Sequence, residues 1–74
     1  MICGRNIDST DGKSVDQCKE WCIADDTCHA IAIRKSSRRC YKRDTKTSCR
    51  EDQRFTSYLL TREGISQNFN EMII

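Results

Sequence analysis

The sequence predicts a small, disulfide-rich α+β domain in which one helix packs on a short antiparallel sheet. Six of its 74 residues are cysteines, and a chain this short usually needs disulfides, metal ions or oligomerisation to be stable. A capping-box pattern followed by cysteines four residues apart predicts a single helix. Short runs of β-branched, aromatic and alternating apolar residues, separated by polar turns, predict the strands. Together these observations indicate the α+β class.

The cysteine spacing favours three disulfide bonds over a zinc site. The cysteines follow the pattern Cys3-x14-Cys18-x3-Cys22-x5-Cys28-x11-Cys40-x8-Cys49. Structural zinc sites usually take their ligands in close pairs, and no CxxC pair occurs here. A site built from Cys18, Cys22, Cys28 and His29 would leave three cysteines without a role. We therefore expect no metal ion, no cofactor and a secreted, extracellular protein.

The first third of the chain predicts a short strand, a loop and the helix. Residues 3–6 are expected to form the strand, and the polar run at 8–12 is expected to be a loop. Ser14 and Gln17 fit a capping box, and the helix continues to about Ala24.

The spacing of Cys18 and Cys22 excludes one disulfide. Residues four apart on a helix have Cβ atoms about 5–6 Å apart, whereas a disulfide requires about 3.5–4.5 Å. Cys18 and Cys22 should therefore not pair with each other. Most of the 15 ways of pairing six cysteines remain open after this exclusion.

A β-hairpin with a basic tip is predicted next. Residues 29–34 predict a strand with Ile31 and Ile33 on one face and two alanines on the other. We expect the helix to pack on the alanine face, because small side chains permit a close approach. Residues 35–37 form the turn, and residues 38–43 form the returning strand.

The rest of the chain predicts one more strand. Residues 44–53 are polar and are expected to be a loop that contains Cys49. Residues 54–61 are rich in strand-forming side chains. Gly64 is expected to end the regular structure, which places the domain at residues 1–64. Residues 65–74 have no clear periodicity and are expected to be a C-terminal tail or a segment that covers the sheet.

Charge is unevenly distributed along the chain. The net charge is only +2, but residues 34–54 hold nine basic and three acidic side chains. Within this block, residues 33–40 have the X-B-B-X-X-B-B-X arrangement associated with heparin-type glycosaminoglycans. Clustered cations can meet several sulfates, and the arginine fork binds an oxyanion through two donors. The predicted ligand-binding residues are Arg34, Lys35, Arg38, Arg39, Lys42 and Arg43. Alternatively, this is a solvated turn that protects an edge strand from aggregation.

Other classes of function are not expected. The chain has one histidine, and three disulfides would leave no free cysteine, so we predict no catalytic residues. No apolar run approaches the roughly 20 residues of a membrane span. Nucleic acid is an uncommon partner in an extracellular setting. Trp21 is interpreted either as a core residue beside a disulfide or as an exposed anchor for a protein partner.

The central part of the chain resembles a PAN/apple domain. The run SVDQCKEWCIADDTCHAIAI, followed by RRCYKR, has the C-x3-C-x5-C core of that family and its later C-x-[K/R] strand. The resemblance covers roughly residues 3–62 and implies the disulfides Cys18–Cys40, Cys22–Cys28 and Cys3–Cys49. The chain departs from the family in one respect, because Cys49 precedes the last predicted strand instead of following it.

The resemblance implies binding to proteins or carbohydrates and not catalysis. We therefore expect a secreted, non-enzymatic recognition module that binds a protein or an acidic, sulfated glycan through its basic hairpin. The alternative is a free secreted effector, such as a toxin-like or pheromone-like peptide, that acts on a receptor or channel. A protease inhibitor presenting Arg38 and Arg39 is a third possibility.

Overall fold

The computed structural model describes residues 1–63 and 66–72. Within those residues the chain forms one helix and seven strands. These are β1 (Ile2–Cys3), β2 (Asn6–Thr10), α1 (Val15–Ile23), β3 (Ala30–Arg34), β4 (Cys40–Arg43), β5 (Cys49–Arg50), β6 (Phe55–Glu63) and β7 (Ser66–Met72).

The strands form two antiparallel sheets. The larger sheet has the order β2-β4-β3-β6-β7, and β1 pairs with β5 in a separate two-stranded ribbon. The small, disulfide-rich α+β class and the antiparallel pairing are thus confirmed. Strands β3, β4 and β6 begin and end within two residues of their predicted bounds.

Both ends of α1 are held by side chains. At its start, the Ser14 hydroxyl accepts from the Gln17 main-chain N–H (3.2 Å), and the Gln17 side chain accepts from the Ser14 N–H (2.8 Å). This confirms the predicted capping box. At its end, Arg62 of β6 donates to the carbonyl oxygens of Cys22 and Ile23 (both 3.3 Å). The last turn of α1 has no basic residue of its own, so Arg62 supplies the cation that favours this end of the helix dipole.

The helix packs on the isoleucine face of the sheet. The prediction that it packs on the alanine face was therefore wrong. Ile31, Ile33 and Leu60 form the buried core with the helix cysteines. On the other face, Ser57 is paired with Ala32 and donates from its hydroxyl to the Met1 carbonyl. The small alanines therefore make room for the main chain of β1, while the branched side chains supply the apolar area that α1 covers.

Two segments that were predicted to be loops contain strands. Asn6–Thr10 forms β2 at one edge of the large sheet. Polar residues are tolerated there because an edge strand has one unpaired side and its side chains are largely exposed to solvent. Its register with β4 shifts between Asn6 and Asp8, and Ile7 is 40% exposed there. Cys49–Arg50 forms β5 within the predicted loop 44–53.

The strand predicted at residues 3–6 is interrupted. Gly4 follows β1 with a φ of +62°, and a Cβ at this position would lie 2.5 Å from Asp44 Oδ1. The left-handed conformation and the close approach both require glycine. The chain therefore turns between β1 and β2 and does not run straight through.

The C-terminal segment extends the large sheet. Ser66–Met72 pairs with β6 in continuous antiparallel register and forms the second edge of the sheet. Phe69 packs against the core, whereas Asn68 and Asn70 are exposed. Gly64, where regular structure was predicted to end, lies outside the described residues.

Three disulfides join these elements. The pairs are Cys18–Cys40, Cys22–Cys28 and Cys3–Cys49, which are the pairings that the PAN/apple resemblance implies. The first two lie in the core and hold α1 against the sheet. The third lies in the β1–β5 ribbon, where Cys3 and Cys49 are directly opposite each other.

Candidate functional site

The predicted hairpin turn is held by main-chain hydrogen bonds. Arg34 N–H donates to the Arg39 carbonyl (3.0 Å), and Arg38 N–H donates to the Arg34 carbonyl (2.7 Å). The Lys35 N–H donates to the carbonyl of Arg54 (2.9 Å), at the start of β6. The turn is thus fixed to two strands without using its basic side chains.

Arg38 has an unusual backbone conformation within this turn. Its φ is +60°, in the left-handed region that costs a non-glycine residue about 1–2 kcal/mol. Glycine would adopt this conformation without strain. The sequence instead has an arginine whose side chain is exposed to solvent.

Three of the six predicted ligand-binding residues form an exposed cationic group. Arg34, Lys35 and Arg38 are all exposed. Within residues 1–63 and 66–72, their side chains have no hydrogen bond or ion pair. We call these three residues the basic turn.

Arg39 lies at the margin of the basic turn. Its guanidinium forms an ion pair with Asp11 and donates to the Ser9 hydroxyl (2.9 Å), and 38% of the side chain is exposed. Arg39 therefore joins the turn to β2 and the loop that follows it. An acidic ligand would have to compete with Asp11 for this side chain.

Lys42 and Arg43, the other two predicted ligand-binding residues, lie inside the molecule and not beside the turn. Lys42 is 8% exposed, and its ammonium lies 4.3 Å from the centroid of the Trp21 ring. Arg43 is 7% exposed and donates from Nε to the Cys3 carbonyl (2.7 Å). Burial lowers the pKa of Arg43. Because neighbouring strand residues point to opposite faces, Lys42 lies under the helix and Arg43 lies under the ribbon.

The partner of Lys42 is a carboxylate that is itself strongly hydrogen-bonded. Asp25 accepts from the Thr27 hydroxyl (2.6 Å), the Thr27 N–H (2.9 Å) and Lys42 Nζ (3.1 Å). The Thr27 hydroxyl is the main reason that the pKa of Asp25 is lowered to about 2, and the Thr27 N–H and Lys42 lower it further. Trp21 is partly buried and packs against the core. These residues form a structural cluster between the end of α1 and β4.

Arg54 is a cation beside the basic turn that was not among the predicted site residues. Its guanidinium makes two hydrogen bonds to Asp52 (3.0 and 2.8 Å), yet 70% of the side chain is exposed. This contact lowers the pKa of Asp52 and raises that of Arg54. Its position follows from strand pairing, because Arg34 is opposite Phe55. The sequence feature that could have identified Arg54 as a candidate site residue is its position as the last residue of the basic block 34–54.

A cleft of about 250 Å³ lies between the basic turn and the start of α1. Lys35 and Arg38 line one side of it. The other walls are partly or wholly apolar side chains from α1, β3 and β6; the lining residues are Val15, Ile33, Lys35, Arg38, Thr56 and Tyr58. We call this feature the turn cleft. It combines two cations with apolar walls and can therefore accept an anionic group that is attached to a compact, partly apolar body.

No protein-family model, curated protein or solved structure matches this chain. Among the described residues, no group of three or more histidine, cysteine or acidic side chains is placed to hold a metal ion. In the same part of the chain, α1 is too short and too polar to cross a membrane.

Proposed function

We propose that the protein is a secreted, non-enzymatic recognition module with a PAN/apple-like fold, and that its basic turn binds acidic, sulfated glycans. The observation that carries the proposal is that Arg34, Lys35 and Arg38 are exposed and have no ion pair with a described residue, on a turn fixed by main-chain hydrogen bonds. A fixed turn loses little conformational entropy when a ligand binds, so more of the ionic interaction contributes to affinity.

The alternative of a merely solvated turn explains these residues less well. Single exposed cations without a described ion pair also occur elsewhere, at Arg5, Lys46 and Arg50, so the distinguishing feature of the turn is the clustering of its charges. At the turn, three like charges lie close together in sequence without a described acidic partner, although like charges repel one another. A turn selected only for folding would favour glycine at the strained position of Arg38.

The disulfides support the PAN/apple-like part of the proposal. Cys18–Cys40 and Cys22–Cys28 connect the helix to the hairpin in the way that the C-x3-C-x5-C resemblance implies. Because β7 pairs with β6 from Ser57 to Glu63, we include Ser66–Met72 in the proposed module, which then extends beyond residue 64. Three disulfides are typical of extracellular proteins and support secretion.

Heparin affinity tests the proposal. We expect the wild type to be retained on a heparin column and a triple variant, Arg34→Ser, Lys35→Ser and Arg38→Ser, to elute at much lower salt. Ionic contacts with a polyanion release counterions, so fewer contacts also make elution less dependent on salt. Retention of the triple variant at the wild-type salt concentration would contradict the proposal.

A matched control separates the turn from net charge. The variant Arg5→Ser, Lys46→Ser and Arg50→Ser removes the same charge from three exposed positions outside the turn. We expect this control to elute close to the wild type. Equal losses in the two triple variants would mean that heparin responds only to total charge, and the assignment to the basic turn would then be wrong.

A further inference from the structure

The turn cleft suggests recognition of ligand shape in addition to charge. We infer that the turn cleft binds one sulfated sugar ring of the glycan, with the sulfate between Lys35 and Arg38 and the ring against the apolar walls. This inference rests on the proposed function, because it assigns the ligand chemistry of the same site. It adds a non-ionic contribution that a basic surface alone would not supply.

The walls of the cleft are built by fixed elements. Ile33 and Thr56 are directly paired in the sheet and lie on its helix-facing side. Val15 is the first residue of α1, immediately after the Ser14 cap, and the Tyr58 side chain packs against the core. Such a surface suits the C–H groups of a sugar ring, whereas a purely ionic ligand would gain nothing from it.

The size of the cleft limits the ligand. Its volume of about 250 Å³ lies just below the range of about 300–1,000 Å³ found for pockets that enclose drug-sized molecules. One ring with its substituents fits a space of this size better than an extended oligosaccharide. The rest of a glycan chain would continue over the exposed side chain of Arg34.

The electrostatics of the cleft favour an anion. No acidic residue is among the described residues that line it, and Lys19 places its ammonium 4.8 Å from the centroid of the Tyr58 ring. Two larger clefts along α1, of about 460 and 420 Å³, are both lined by Asp16 and Glu20 against a single lysine each, Lys13 in the first and Lys19 in the second. Those carboxylates would repel a sulfate, so the smaller turn cleft is the better site for it.

A substitution that fills the cleft without changing charge tests the inference. Thr56→Tyr places a large side chain in the cleft on a strand that favours aromatic residues. Thr61→Tyr makes the same change on the same strand at a residue that does not line the cleft. The probes are a heparin hexasaccharide, inorganic polyphosphate and polyglutamate, with affinity measured by calorimetry at fixed salt. Circular dichroism and the mass of the three-disulfide species verify folding.

We expect Thr56→Tyr to weaken hexasaccharide binding at least tenfold and to leave polyphosphate binding unchanged, whereas Thr61→Tyr changes neither. Val15→Ser, which removes an apolar wall at the helix start, should show the same selective loss and serves if Thr56→Tyr fails to fold. Wild-type hexasaccharide affinity in a folded cleft variant would overturn the inference. The inference would also be overturned if polyglutamate bound as tightly as the hexasaccharide and if Thr56→Tyr weakened both equally. That result would favour an acidic protein ligand.

The failure of the inference can be told apart from the failure of the proposed function. If the triple variant of the basic turn loses polyphosphate and hexasaccharide alike while Thr56→Tyr loses neither, the basic turn binds polyanions without a ring site. If the triple variant retains both ligands at wild-type affinity, the proposed function is itself wrong.

Discussion

Arg38 shows how one residue can carry both strain and charge. Its φ of +60° is accommodated by a hydrogen bond from its N–H to the Arg34 carbonyl, while its side chain reaches the turn cleft. Ser48 also has a positive φ, of +55°, so strain by itself does not indicate function; at Arg38 the strain coincides with an exposed cation. Strain and charge can be separated by substitution.

Two substitutions of Arg38 should separate these effects. Arg38→Ala removes the charge and keeps a Cβ in the left-handed conformation, whereas Arg38→Gly removes both. We expect the glycine variant to be more stable than the alanine variant by roughly 0.5–1 kcal/mol, since relief of strain is partly offset by the greater entropy of unfolded glycine. Both should lose the same amount of heparin affinity. Thermal unfolding and heparin elution measure the two quantities, and a stability order of alanine above glycine would contradict the conformational argument.

Lys42 and Arg43 show why charge in the sequence does not predict exposure at the surface. They belong to the same basic block as Arg34 and Lys35, and nothing in their residue type distinguishes them. They are buried for two reasons. Strand β4 lies inside the sheet, between β2 and β3, and its two faces are covered, one by the helix and the other by the ribbon. Long basic side chains can cover apolar surface and keep their charge hydrogen-bonded. This arrangement depends on contacts that are distant in sequence.

The secondary-structure elements differ in how well the sequence predicts them. The helix was predictable because its capping box is a local signal, and the core strands were predictable because Ile31, Ile33 and Leu60 belong to apolar runs. The edge strands β2 and β7 were not predictable. An edge strand can be almost entirely polar, and it forms only because a neighbouring strand offers hydrogen bonds. The cationic cluster of the candidate site, Arg34, Lys35 and Arg38, was visible in the sequence, but the apolar walls of the turn cleft depend on the packing of α1 on the sheet.

The loop between α1 and β3 should make stability depend on pH. The folded-state pKa of Asp25 is about 2, below its ordinary value of 3.8. Between these values the unfolded chain binds more protons than the folded protein, so the free energy of unfolding decreases as pH falls. The stabilisation is fully present above about pH 4–5 and is lost as the pH falls through the folded pKa. We expect the melting temperature to fall over this interval, as measured by calorimetry.

Variants at the same loop assign this effect to Asp25. Asp25→Asn keeps an acceptor for Thr27 but does not titrate, so its melting temperature should fall less steeply with pH than that of the wild type. Thr27→Val should give an intermediate slope, because it removes the largest cause of the lowered pKa and leaves Lys42 in place. Identical slopes for Asp25→Asn and the wild type would show that other carboxyls dominate; Asp52, whose pKa is also lowered, is the first to examine next.

In the described part of the molecule, the two faces of the large sheet are covered by different elements, which are held in place by different disulfides. On one face of the large sheet, α1 is tied down by two disulfides within the core. On the other face, the β1–β5 ribbon is held by Cys3–Cys49 and by hydrogen bonds from Arg43 and Ser57. The basic turn belongs to the helix side, because the turn cleft is formed with Val15 and β4 is bonded to α1 through Cys18–Cys40. Binding should therefore be independent of the ribbon disulfide.

Mild reduction tests this division. Five of the six cysteines are at most 1% exposed, and Cys49 is the one that solvent reaches. Since reduction needs access of a thiolate to a sulfur atom, dithiothreitol without denaturant should open Cys3–Cys49 first. The bond spans a sequence separation of 46 residues, and its loss should cost about 4 kcal/mol in the chain-entropy description. We expect alkylation and peptide mapping to find Cys3 and Cys49 labelled before the other four. The two-disulfide species should melt at a lower temperature but elute from heparin at the wild-type salt concentration. Early labelling of Cys22 or Cys28, or a loss of heparin affinity, would contradict the proposed independence of heparin binding from the ribbon.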